Sequence, residues 1–96
     1  MRRNFKKMKI WEKAMNLCDA TFQITVNFPK FEIYSLTSQI NRSAISVPSN
    51  ISEGSSRSSN KVFSRFLEIS FGSLYELQTQ IILVKYKNYI TENQLS

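Results

Sequence analysis

The stretch SVPSNISEGSSRSSNK, residues 46–61, decides how this chain is read. Its proline, glycine and serines are loop formers, yet Val47 and Ile51 keep helical spacing. Read upstream, those two join Ile33, Leu36, Ile40 and Ala44 within roughly 80° of arc at about 100° per residue. One apolar face therefore runs through Pro48. A proline inside a helix loses a backbone hydrogen bond and crowds the preceding turn, at a cost of about 3 kcal/mol. A break at Ser46, with Pro48 opening a fresh segment, is the competing reading. The unbroken face favours a helix kinked at Pro48 and ended by Gly54, with residues 55–60 as the loop that follows.

Upstream, Trp11, Ala14, Met15, Leu17, Cys18, Thr21, Phe22 and Ile24 repeat at three-and-four spacing, which predicts a first helix from Ile10 to about Phe28. Pro29 disfavours helix at Phe28 and suits the first turn of the second helix. Downstream, Ser59 or Asn60 can cap a third helix. Its face of Phe63, Leu67, Ser70, Leu74, Leu77, Ile81 and Val84 is the seam of a left-handed bundle. Phe71, Tyr75, Ile82 and Tyr86 widen that arc to roughly 200°, more than the ~100° stripe of a helix with one neighbour. Helix 3 is therefore expected to touch neighbours on two sides, with Gly72, Ser70 and Ser73 permitting close approach. Thr91 and Glu92 read as the start of a fourth helix cut off at Ser96. There is no run of alternating β-branched residues and no repeat, so the expected fold is all-α. It is one domain over residues 1–96, an up-and-down antiparallel bundle with a basic arm (1–8) and a truncated fourth helix (91–96).

A chain of 96 residues buries only about 60–65% of its unfolded surface, which favours oligomers. Its 13 Lys+Arg against 7 Asp+Glu give a net charge of +6, and the pI near 9.7 favours an anionic partner. A single cysteine, Cys18, reads as a buried thiol in a reducing, cytoplasmic setting. The basic start lacks the apolar core of a signal peptide, and the aliphatic run IILV (81–84) is too short to span a bilayer.

The chain has no histidine, which removes the commonest general base and metal ligand. One cysteine and scattered carboxylates form no metal motif, and SEGSSRSSNK lacks the phosphate-loop pattern. No enzyme, metal, cofactor or small-molecule substrate is expected. Two basic sets remain. Arg2, Arg3, Lys6, Lys7, Lys9 and Lys13 gather at the start, and Arg57, Lys61 and Arg65 line the start of helix 3. Either can grip phosphates, arginine in bidentate fashion; the plainer alternative is a solvated terminus and a charge pattern that supports the helix. On helix 2, Gln39, Arg42, Ser46, Asn50 and Glu53 form a polar row within roughly 80° of arc, beside the apolar face. Arg42, with Gln39 and Asn50, can touch a phosphate or base. The favoured reading is a structural network in which Glu53 answers Arg42 and Asn50 serves backbone groups freed by Pro48. Tyr34 and Ile45 project opposite the inner face of helix 2, Tyr75 and Tyr86 lie at the margin of helix 3, and apolar side chains so placed favour self-association.

These elements also carry a resemblance. Trp11, Phe28–Pro29, Gln39 and Arg42, Pro-x-Asn-Ile-x-Glu-Gly (48–54), Phe-x-x-Phe-Leu (63–67) and Gly-Ser-x-x-Glu-Leu (72–77) resemble the small four-helix-bundle proteins encoded in intervening sequences of bacterial 23S rRNA genes. That family is related to accessory proteins of diversity-generating retroelements, and the likeness runs from about Lys9 to Tyr89. It implies an up-and-down bundle assembled into rings, typically pentamers, with a basic surface for RNA or DNA and no catalysis. A protein-interaction scaffold without nucleic-acid binding is the alternative.

Overall fold

Helix formation follows the apolar spacing closely, and the departures all lie at helix ends. In a computed structural model that describes residues 3–90, α1 spans Lys9–Thr25, α2 spans Leu36–Ser55 and α3 spans Asn60–Tyr86. Short 3-10 segments, Phe5–Lys7 and Lys30–Glu32, precede α1 and α2. No strand occurs among the described residues. The fourth helix expected from Thr91 lies outside them, as does Arg2.

The helices run antiparallel in succession, with α2 between the other two. Thr25 at the end of α1 donates to Asn41 near the start of α2 (2.9 Å). Along α2 and α3, Ser43 meets Glu76, Ser46 meets Ser73, and Gly54 meets Phe66, so residue numbers rise on one helix as they fall on the other. Ile40, Ala44, Val47 and Ile51 of α2 are buried on both flanks. Cys18, Leu77 and Val84 join the cluster around Ile40, whereas Ala14, Leu67 and Leu74 join the one around Val47 and Ile51. Burying each of the fully enclosed Ile40, Ile51 and Val84 side chains contributes about 1.5–3 kcal/mol. Burial also pushes the Cys18 thiol above its usual range, helped by the neighbouring Asp19 carboxylate.

The two-neighbour expectation belongs to α2 instead of α3. The α3 arc of Phe71, Tyr75, Ile82 and Tyr86 is exposed, and α3 faces α1 across an apolar groove floored by Val47 and Ile51. Among the described residues no helix is long and apolar enough to cross a membrane.

Pro48 sits buried inside a continuous α2. Lacking an N–H, it cannot donate to the Ala44 carbonyl, but nearby carbonyls are well supplied: Ser70 Oγ donates to Val47 O (2.8 Å) and Asn50 Nδ2 to Ser46 O (2.8 Å). Ile33 was expected on the inner face, yet it precedes α2 and is 52% exposed. The turn at Ser35, with φ −127° and ψ −96°, resets the helical phase before Leu36. Glu32 is drawn inward there, because Ser35 Oγ (2.7 Å) and Tyr89 OH (2.9 Å) both donate to its carboxylate. Those hydrogen bonds, Ser35 first, hold the carboxyl below the usual range.

The end of α3 is a turn that the sequence reading missed. Tyr89 N–H bonds Val84 O (3.1 Å), Asn88 N–H bonds Lys85 O (2.9 Å), and Asn88 has φ +60°. This is a Schellman closure with asparagine in the left-handed position usually held by glycine. It turns Tyr89 onto Phe28, with ring centroids 5.6 Å apart, and buries Ile90. Asn88→Ala should lower stability by about 1 kcal/mol, because a Cβ branch without a local hydrogen-bonding group is disfavoured there, while Asn88→Gly should not. Urea midpoints of the two variants make the comparison.

Candidate nucleic-acid interface

The two basic sets, far apart in sequence, meet at one end of the molecule. The link is the arm. Arg3 N–H bonds Ser55 O (3.1 Å), its Nη1 donates to Arg57 O (3.2 Å), and its Nη2 donates to Asn60 Oδ1. The Arg3 guanidinium also lies 4.2 Å from the centre of the Phe63 ring. Asn4 then caps the 3-10 turn by accepting from Lys6 N–H (3.2 Å), and Phe5 meets Trp11 edge-on at 5.2 Å. The arm is thus fastened to the α2–α3 turn, with Lys6 and Lys7 held outward.

Of the residues singled out as phosphate ligands, Arg3 and Arg57 are occupied within the fold. Arg57 pairs with Glu53 (3.2 Å) and rests 5.2 Å from the centre of the Phe66 ring. Lys6, Lys7, Lys9, Lys13, Lys61 and Arg65 are exposed and form no ion pair among the described residues. Eight cationic side chains collect within a few turns of this end, against the carboxylates of Glu12, Glu53 and Glu68. A flexible tail would disperse such charge; here the fold concentrates it.

Arg42 is elsewhere. It lies eleven residues before Glu53 on α2, about 16 Å along the helix at about 1.5 Å per residue. The polar row it belongs to divides. Glu53 answers Arg57 and not Arg42. Asn50 donates to the carbonyl (2.8 Å) and hydroxyl (2.9 Å) of Ser46, not to the Ala44 carbonyl that Pro48 leaves open. Ser46 shares a hydrogen bond with Ser73 (2.7 Å).

Gln39, Arg42 and Ser46 instead form one wall of a polar cleft between α2 and α3, completed by Ser43, Ser73, Glu76 and Gln80, with a volume of about 400 Å³. Ser43 Oγ donates to Glu76 Oε1 (2.8 Å), and Gln80 Oε1 is buried with no partner. The α3 wall was missed in sequence. Its signal was present: Ser73, Glu76 and Gln80 recur at the same three-and-four spacing as the row on α2.

An all-α chain whose central helix runs through a buried proline, with tryptophan at its first helix and the Gly-Ser-x-x-Glu-Leu segment facing Arg42, can be set beside known proteins. The model of the 23S rRNA-intervening sequence protein family matches residues 6–96. No curated protein matches the chain. Since the match covers nearly the whole sequence, the chain belongs to the 23S rRNA-intervening sequence protein family.

Proposed function

We propose that this protein is a non-catalytic nucleic-acid-binding bundle that holds a phosphate backbone against its basic end and associates with copies of itself. The observation that carries the reading is the cluster of unpaired cations, Lys6, Lys7, Lys9, Lys13, Lys61 and Arg65, brought to one end by the fastened arm. Each phosphate neutralised releases counterions, so affinity must fall steeply with salt. Anisotropy of a labelled single-stranded RNA and a labelled DNA duplex, titrated across salt, tests this. Six contacts predict a logarithmic slope of about −4 for the single strand and about −5 for the duplex. The combined K6Q/K7Q/K61Q/R65Q variant should lose about 3 from the single-strand slope and about 4 from the duplex slope. Absence of binding at low salt would overturn the reading.

Self-association is supported by the exposed α3 stripe of Phe71, Tyr75, Ile82 and Tyr86 and by the apolar groove between α1 and α3. The groove also supports closure by a fourth helical element, as in the four-helix family that the sequence resembles, and the ring assembly implied there. The same stripe favours a second reading, an adaptor that binds protein and uses its charge for solubility. Light scattering reports the assembly, and the salt titration separates the two readings.

A further inference from the structure

We propose that the polar cleft between α2 and α3 receives an unstacked guanine base carried by a single strand whose phosphates lie on the basic end. The inference rests on the phosphate-binding reading above and adds to it a base-specific site. Its ground is the set of hydrogen-bonding groups that the fold leaves unanswered. Arg42 makes no hydrogen bond or ion pair among the described residues, although it lines the same cleft as Glu76. Glu76 uses Oε1 to accept from Ser43, and its other oxygen has no partner. Gln80 Oε1 is a buried acceptor without a donor, a rarity that calls for a ligand or another explanation.

Those groups define a ligand. Arginine offers only donors and a carboxylate only acceptors, so the occupant needs neighbouring acceptors on one edge and neighbouring donors on another. Guanine supplies both in one plane. Its O6 and N7 accept from a guanidinium fork, and its N1–H and N2–H point side by side toward a carboxylate. Adenine, cytosine and uracil do not present that adjacent pair of N–H donors. A bare phosphate is excluded as the intended occupant because Glu76 would repel it.

The cleft and the basic end share the same faces of α2 and α3. Arg65 and Glu76 are eleven residues apart on α3, hence about 20° apart around the helix and about 16 Å along it. Lys61 and Gly72 fall on the same face, and space is open around Gly72, where an added Cβ would meet nothing within 4 Å. On α2, Glu53 and Arg42 are likewise eleven residues apart. The cleft faces of α2 and α3 therefore point the same way as Glu53 on α2 and as Lys61 and Arg65 on α3 at the basic end. A strand following those faces passes from charge to base-reading groups.

The test uses two labelled twelve-residue RNAs at one fixed low salt, one all uridine and one with a single central guanosine, with guanosine monophosphate as a separate probe. The wild type should prefer the guanosine strand at least about fivefold, the discrimination of one good bidentate pair. Glu76→Gln and Arg42→Gln should each abolish the preference. Arg42 holds nothing else in the fold, so its variant cannot fail merely by unfolding. In heteronuclear spectra, guanosine monophosphate should shift the Arg42 and Gln80 side-chain signals, and adenosine monophosphate should not. Equal binding of both strands with a steep salt slope overturns the guanine site and leaves the phosphate reading intact. Binding of the mononucleotide with no strand preference gives the cleft to a free nucleotide and overturns the strand proposal. Failure of both strands to bind overturns it together with the phosphate reading.

Discussion

Gly54→Ala should lower the unfolding free energy by about 3 kcal/mol, whereas Gly72→Ala should raise it by up to about 1 kcal/mol. Both glycines lie inside helices with ordinary backbone angles, so the difference comes from what faces them. A Cβ on Gly54 would lie 2.5 Å from Phe66 Cβ and 3.1 Å from Phe63 Cδ1. The first of those atoms is tied to the α3 backbone, so no rotamer change relieves the overlap and the two helices must part. Separation there would also disturb Arg3, which rests on Phe63. At Gly72 the added methyl meets open space, and only the gain in helix propensity remains. Guanidinium melts of the two variants, with equal slopes in denaturant, would show opposite shifts of the midpoint. A tolerated alanine at Gly54 would mean that α2 and α3 do not meet as described.

The second large effect lies on α2. Ile40→Ala should cost about 2–5 kcal/mol, because Ile40 is 0% exposed and its removal leaves a cavity between helices that cannot fully collapse. Ile45→Ala, five residues on, should change stability by no more than about 0.5 kcal/mol, as its side chain is 46% exposed. The pair tests the helical phase of α2 directly. If Pro48 broke the helix and the downstream half packed in another register, Ile51→Ala would lose its cost while Ile40→Ala kept it. Thermal denaturation followed by circular dichroism measures all three.

The contrast between Gly54 and Gly72 also shows where sequence reading succeeds. The inner face of α2, read through Pro48, was legible because six apolar positions shared one arc, and five of them hold in the structure. Ile33 failed because one non-helical residue, Ser35, rotates everything before it out of phase, and nothing in its type announces that. Gly54 reads as a helix end and Gly72 as a contact point; α2 does end at Ser55, just past Gly54, but the close approach is also at Gly54, while Gly72 lies mid-helix against open space. A glycine signals permission for an unusual backbone or for close approach, and only the partner across the gap decides which. Asn88 escaped notice because asparagine adopts the left-handed conformation only sometimes.

The candidate interface was legible in kind but not in arrangement. Charge counting identified both basic sets, yet no local pattern could show that Arg3 reaches Arg57 and Asn60 and so ties the arm to the end of the molecule that carries Lys61 and Arg65. Likewise, the row on α2 was visible, while its answer on α3 required the antiparallel register that sets Ser43 opposite Glu76.

The attachment of Arg3 has a bearing on the order of events during folding. Its side-chain bonds span 54 and 57 residues of sequence, so they cannot form until α2, the turn and the first part of α3 are already in place. Arg3 is thus among the last residues to find its seat. Hydrogen exchange at the Arg3 amide, shielded through Ser55, therefore reports when the helical hairpin behind it has been completed.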